Sequence, residues 1–223
     1  MASWFSRLLK PSEPAAASSL LARQLASYPP CPAAHPGPAS RWTAAQAADN
    51  FGRFMQQREQ RLAALQGLLA GHGIQFEAVL DHGDTGPLLA ALHQWALACW
   101  PGVRGTARPD RQAWLASSRS GPQIMHALLL DLAILLGELI VRRRSGIRWG
   151  VDNSDSSRDD DMPTWQRVVL LVDRQALARE PQVLDVEAVV FGRWMRIDSP
   201  TERLVDDWAG LLQDAVAGRY EAA

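Results

Sequence analysis

The chain has 223 residues and a 47% apolar fraction, enough for one globular domain with a substantial buried core. Its formal net charge of −1 lacks the basic footprint of a nucleic-acid-binding protein, and it gives no general attraction to an anionic membrane. Lys10 is the only lysine, and the Arg-, Ala-, Leu- and Gly-rich composition suggests a GC-rich bacterial genome.

Cys31 and Cys99 stand far apart, in no metal or redox spacing, so no disulfide framework is expected. Residues 1–10 lack the apolar core of a secretory leader. The longest apolar run, 127–141, carries Asp131 and Glu138, so it is expected to be too short and too acidic to span a membrane. A cytoplasmic location is the resulting expectation.

In chain order, Trp4, Phe5, Leu8 and Leu9 recur at helical spacing and suggest a short helix with a weak membrane-surface or partner contact. Residues 11–17 and 28–40 are rich in Pro, Ala and Ser. The prolines exclude regular helix in the second stretch and suggest an extended arm or linker. Residues 1–41 thus read as an N-terminal helix and Pro-rich arm, 42–218 as a globular α+β domain, and 219–223 as a tail.

A long helix is expected over 43–69, with Thr43 as N-cap. Phe51, Met55, Arg58, Leu62, Leu65 and Leu69 form a heptad-like seam that Arg58 interrupts, while Gln56, Gln57, Glu59, Gln60 and Arg61 look solvated. The seam suits packing within the chain or self-association. Gly71 and Gly73 end the helix. A turn at 81–86 precedes a helix from Pro87 to Cys99, a loop over 101–109 and a short helix over 110–116.

Ser120-Gly121-Pro122 opens a helix to about residue 143 that is apolar nearly all round and so should be buried. Asp131 and Glu138 fall within about 20° of one another on it. Glu138 stands four residues before Arg142, a favourable helical pair. A strand over 146–151, an acidic loop over 152–161 and a strand over 165–172 follow, the two strands making an antiparallel hairpin. Residues 183–196 carry a helical stripe of Leu184, Ala188, Phe191 and Met195, although Val186, Val189 and Val190 also suit a strand. A final helix is capped by Ser199-Pro200 with Glu202, buries Leu204, Trp208, Leu211 and Ala215, and ends at Gly218. The fold class is helix-rich α+β, with helices packed around a small antiparallel hairpin or sheet.

Few residues point to chemistry. His82 and Asp84 are a two-ligand fragment in a turn, and the acidic loop counted from Asp152 lacks the glycine and terminal acid of a calcium loop. No metal or cofactor is therefore expected. Glu138 and Asp131 are the only candidate catalytic pair, since a carboxylate facing an apolar core has the raised pKa that acid–base work requires. Neither has an accompanying nucleophile or histidine, which favours a structural role. Asp159, Asp160 and Asp161 on the loop, with Arg148 and Trp149 on the strand, are the candidate binding residues. The acidic run neutralises the Arg142–Arg144, Arg148 and Trp149 cluster, so no nucleic acid is expected.

Leu135-Leu136-Gly137-Glu138-Leu139 followed by Gly146-Ile147-Arg148-Trp149 resembles a module of small bacterial α+β proteins of unknown function. Some of these are immunity or accessory proteins encoded beside toxins. The resemblance covers about fifty residues and implies a helix leading into a Gly-x-x-Trp strand, with Gly137 permitting a close backbone approach and Glu138 anchoring the strand. The expected function is a non-catalytic protein-binding protein of accessory or immunity type. The alternatives are an enzyme using Glu138 and Asp131, and a homo-oligomeric structural protein.

Overall fold

The computed structural model describes residues 14–104, 110–173, 182–199 and 207–220. Trp4, Phe5, Leu8 and Leu9, the Pro200 and Glu202 cap and Leu204 lie outside the described residues.

The fold is organised around helix α6, Ile124–Val141, in which every residue from Ala127 to Ile140 is buried. A helix with apolar side chains on all faces reaches its lowest free energy only when it is surrounded. Helices α2 (Ala44–Ala70), α3 (Glu77–Asp81), α8 (Val186–Arg196) and α9 (Asp207–Val216) and strand β1 (Ile147–Val151) pack around α6. The stretch Gly121–Val141 is long and apolar enough to cross a membrane, but 83% of its most apolar 18-residue window is buried inside the fold, as for a core helix of a globular protein.

Helix α2 opens with a reciprocal cap. The Gln46 backbone N–H donates to the Thr43 hydroxyl, and the Thr43 backbone N–H donates to the Gln46 side chain. Its Leu62, Leu65, Leu68 and Leu69 are buried, whereas Met55 near its middle is exposed. Arg61, expected to be solvated, is buried instead, because a buried acid on α6 recruits it.

A helix not anticipated by the sequence reading, α1 (Pro14–Ala26), lies along α4 (Gly86–Arg104). Pro14 takes the first helical position, where its missing N–H costs nothing. The Ser18 hydroxyl donates to the carbonyls of Ala98 and Cys99 at 3.2 and 3.1 Å, and a Cβ at Gly102 would stand 2.3 Å from the Ser18 Cβ. Leu21, Leu25, Tyr28 and Cys31 belong to the same apolar core as α6. From Pro14 onward, the stretch assigned to a separate arm therefore contributes to that core. Helix α4 also continues through Pro101 to Arg104, where a loop was expected. Its Trp100 is fully buried, with the rings of Trp95, Trp194 and Trp208 at 5.9, 5.5 and 5.7 Å.

Strands β1, β2 (Val168–Val172) and β3 (Gln182–Leu184) form an antiparallel sheet in the order β1-β2-β3. Trp149 stands opposite Leu170, and Leu170 opposite Leu184. The central β2 is a continuous apolar run, as suits a strand covered on both faces. Between β1 and β2 the acidic segment forms a short helix, α7 (Asp155–Asp159), capped by Ser154. Asp152 is fully buried there, and its carboxylate accepts the Ser154 N–H and hydroxyl at 3.1 and 2.6 Å. The first acid of the expected acidic loop is thus not solvated: on Oδ1, local serine donors replace its water.

Residues 182–196 are strand and then helix. Asp185 accepts the Ala188 N–H at 2.9 Å and starts α8 at Val186. The buried face is then Val186, Val190, Phe191 and Trp194, which leaves Met195 exposed rather than in the expected stripe. In α9, Trp208, Leu212 and Ala215 are buried, and Gly218 takes a left-handed φ of 74° just after the helix. Helix α5 (Arg111–Leu115) is capped by Asp110, which accepts the N–H groups of Gln112 and Ala113.

Candidate functional site

Both acids of α6 are neutralised across the contact with α2. The Arg61 Nε and Nη2 donate to the two Asp131 carboxylate oxygens at 2.7 and 2.6 Å, and the Tyr28 hydroxyl donates to one of them at 2.5 Å. The Arg61 Nη1 donates to the Pro29 and Pro30 carbonyls, which ties the Pro-rich stretch to α2. Burial raises the Asp131 pKa to about 6, against the lowering effect of Arg61 and Tyr28.

Seven residues on, the Trp149 indole N–H donates to Glu138 Oε1 at 2.8 Å, and Arg142 donates to Oε2 at 3.1 Å. The Arg58 Nε lies 3.0 Å from Oε1 as an ion pair without hydrogen-bond alignment. Arg142 also donates to Asp81. A Cβ at Gly137 would stand 2.1 Å from the Trp149 ring, so glycine is what admits the indole at this point. Asp131 and Glu138 thus lie on one stripe but serve separate networks.

A third network was not apparent from sequence. Glu187, at the start of α8, accepts the Trp114 indole N–H at 3.1 Å and Arg119 at 2.8 Å on one oxygen, and Arg167 at 3.0 Å on the other. Arg167 also donates to Asp185, and its guanidinium lies 4.5 Å from the centre of the Trp114 ring. Trp114 stacks on Phe191 with 4.3 Å between ring centres. Burial alone would raise the Glu187 pKa, but Arg119 and Arg167 outweigh it and hold the carboxyl down at about 2.

Between the second and third networks lies a cleft that is partly open to solvent. Its apolar lining includes Phe54, Leu130, Ala133, Trp149, Val168 and Val186, and the rings of Phe54 and Trp149 meet edge-on at 4.9 Å. Its polar lining includes Trp42, Asn50, Arg53, Gln57, Arg119 and Arg167, beside Cys31 and Glu187. Burial raises the Cys31 thiol pKa even with Arg61 and Arg119 nearby, so the sulfur is a neutral thiol. Asn50 is committed, accepting the His35 N–H and donating to the His35 carbonyl. Three buried donors of this lining have no acceptor among the described residues: the indole N–H of Trp42 and the Nε groups of Arg53 and Arg119. Each such donor costs about 1–3 kcal/mol, which an arriving acceptor recovers. Arg53 makes no hydrogen bond or ion pair with any described residue, which sets it apart from the committed Arg61 and Arg167. A smaller cavity shares Trp42, Arg119 and Arg167 with the cleft.

The candidate binding residues do not assemble into one site. Trp149 is buried on Glu138 and lines the cleft, while Arg148 is exposed on β1, 3.8 Å from Asp173. Asp159 accepts from Arg158 at 3.0 Å, and Asp160 and Asp161 are exposed, with no ion pair among the described residues. No group of three or more His, Cys, Asp or Glu side chains suited to a metal occurs among the described residues. Arg53, Trp42 and Arg119 were missed as site residues, although an arginine on the flank of an apolar helix stripe was a visible signal. No family model, curated protein or solved structure matches this chain.

Proposed function

We propose that this chain is a non-catalytic binding protein of accessory type whose ligand occupies the cleft lined by Phe54, Trp149, Arg53 and Arg119. The observation that carries this reading is Arg53, a cation without a partner among the described residues in a cleft whose other wall is apolar. A few convergent polar groups in an apolar recess are the usual form of a ligand site. The enzyme alternative has less support, because Asp131, Glu138 and Glu187 each already face two or more donors.

Nitrogen-15 NMR tests this reading. The Trp42 and Trp149 indole resonances are followed against a fragment set of mixed charge. We expect a subset of fragments to shift both, and a set of every charge that shifts neither would overturn the cleft as a binding site.

A protein partner is a second reading, favoured by the solvent-facing carboxylates of Asp160 and Asp161. For a partner co-purified from the native host, changing Asp159, Asp160 and Asp161 to Asn should slow association and weaken its salt dependence, because rim charges steer encounter. Kinetics indifferent to both changes would remove this loop from the interface.

A further inference from the structure

We infer that the cleft takes a small carboxylate with a flat apolar body; this rests on the cleft being the ligand site. Of the three guanidinium groups in the lining, Arg167 is paired with Asp185 and Glu187 and Arg119 with Glu187, which leaves Arg53 as the cation without a partner among the described residues. Both Glu187 oxygens already accept from the residues around it, Oε1 from Trp114 and Arg119 and Oε2 from Arg167. Asn50 is held in place by one hydrogen bond from and one to the His35 backbone. The cleft therefore offers unused donors on Trp42, Arg53 and Arg119, and its one carboxylate is already neutralised. An amine entering here would place a second cation beside Arg53 with no carboxylate that is not already paired, and an amide would bring an uncharged oxygen that gains less from the same donors.

A guanidinium fork suits the oxygens of a carboxylate or a phosphate, and the indole N–H adds one further donor. The backbone around the cleft favours the carboxylate. A phosphate is usually held by several backbone N–H groups at a helix N-terminus. The helix that starts at the cleft, α8, has that end occupied by Asp185, which accepts from the Ala188 N–H. The body of the ligand follows from the walls. Phe54 and Trp149 present aromatic surface, with Leu130 and Val168 beside them, so a planar apolar group is favoured over a sugar or a polyol.

The experiment uses three probes of one shape on the full chain: phenylacetate, phenylacetamide and phenethylamine, with inorganic phosphate as competitor. Affinity is read from the Trp42 and Trp149 indole shifts. Phenylacetate should bind at least tenfold more tightly than phenylacetamide, and phenethylamine should not bind. Arg53→Gln should weaken phenylacetate about tenfold without lowering the melting temperature, since Arg53 makes no hydrogen bond or ion pair with any described residue and the change removes a buried donor that has no acceptor among them. Phenylacetamide or phenethylamine binding as well as phenylacetate would overturn the carboxylate assignment while leaving the cleft as a site. Phosphate displacing phenylacetate at equal concentration would overturn it in favour of a phosphate ligand. Failure of all three probes and of the mixed fragment set would remove the cleft itself. Arg119→Gln is a weaker test, because it also breaks the bond to Glu187.

Discussion

Replacing Gly137 by alanine tests whether the close approach of α6 to β1 is set by this one missing side chain. Alanine is the better helix former by about 1 kcal/mol, so on propensity alone the change stabilises the protein. The structure gives the opposite sign. The added Cβ would stand 2.1 Å from Trp149 Cζ2 and 2.3 Å from Cη2, and the ring must retreat by more than an ångström to reach ordinary contact. Trp149 has little freedom to do so, since its N–H is held by Glu138, its ring by Phe54 and its backbone by Leu170 across the sheet. Overpacking costs about 1–3 kcal/mol, and losing a hydrogen bond to a charged group costs about 1.5–3 kcal/mol. With the propensity gain subtracted, Gly137→Ala should destabilise by roughly 2–4 kcal/mol, a fall in Tm of roughly 5–15 °C for a chain of this size. In a Trp149→Ala background the clash is gone, and the same change should stabilise by roughly 0.5–1 kcal/mol. Thermal and urea unfolding of the four proteins closes a double-mutant cycle with an interaction energy of roughly 2.5–5 kcal/mol. Equal destabilisation in both backgrounds, or a gain in the parent, would refute the reasoning.

Glu138→Ala should lower stability by roughly 1–3 kcal/mol by stranding the Trp149 and Arg142 donors, read as a shift of the melting curve. Arg61→Gln leaves Asp131 buried without its cation and should cost about 3–5 kcal/mol, whereas the double change Arg61→Met with Asp131→Leu should recover most of it. Because Arg61 also holds the Pro29 and Pro30 carbonyls, Arg61→Gln should speed limited proteolysis between residues 28 and 42; an unchanged cleavage rate there would show that the stretch is held by other contacts. Glu187 has a folded pKa of about 2 against an ordinary 4.5, so its stabilisation is complete above pH 4.5 and is lost as the pH falls through 2. Urea midpoints measured between pH 7 and 2 should lose about 3 kcal/mol from this group, and Glu187→Gln should flatten that part of the profile.

The long elements were legible because their periods are strong. The cap at Thr43, the seam of α2, the all-apolar α6 and the β1–β2 hairpin follow from residue spacing within one segment. The acids of α6 were also visible, but their partners were not, since Arg61 and Asp131 are paired across 70 positions and no local period records that. The clue was the match between two interruptions, Arg58 and Arg61 on one long helix and Glu138 and Asp131 on the other, which pair in antiparallel order. Helix α1 was hidden by a composition of Pro, Ala and Ser that also suits a linker. Strand β3 has three residues, too few to show alternation. The cleft depends on Trp42, Arg53, Arg119 and Glu187 meeting from four separate segments, so only the fold reveals it.

The central position of α6 also bears on synthesis. Its partner α2 is complete at residue 70, and the acids that neutralise Arg58 and Arg61 are on a helix that ends at residue 141. At translation rates of about 5–20 residues per second, the ribosome needs roughly 4–14 s to cover that interval. Throughout it, the leucine face of α2 and two core arginines emerge without the surface that will cover them. The nascent chain therefore passes through a timed interval in which chaperones, or another copy on the same messenger, compete with α6 for that face.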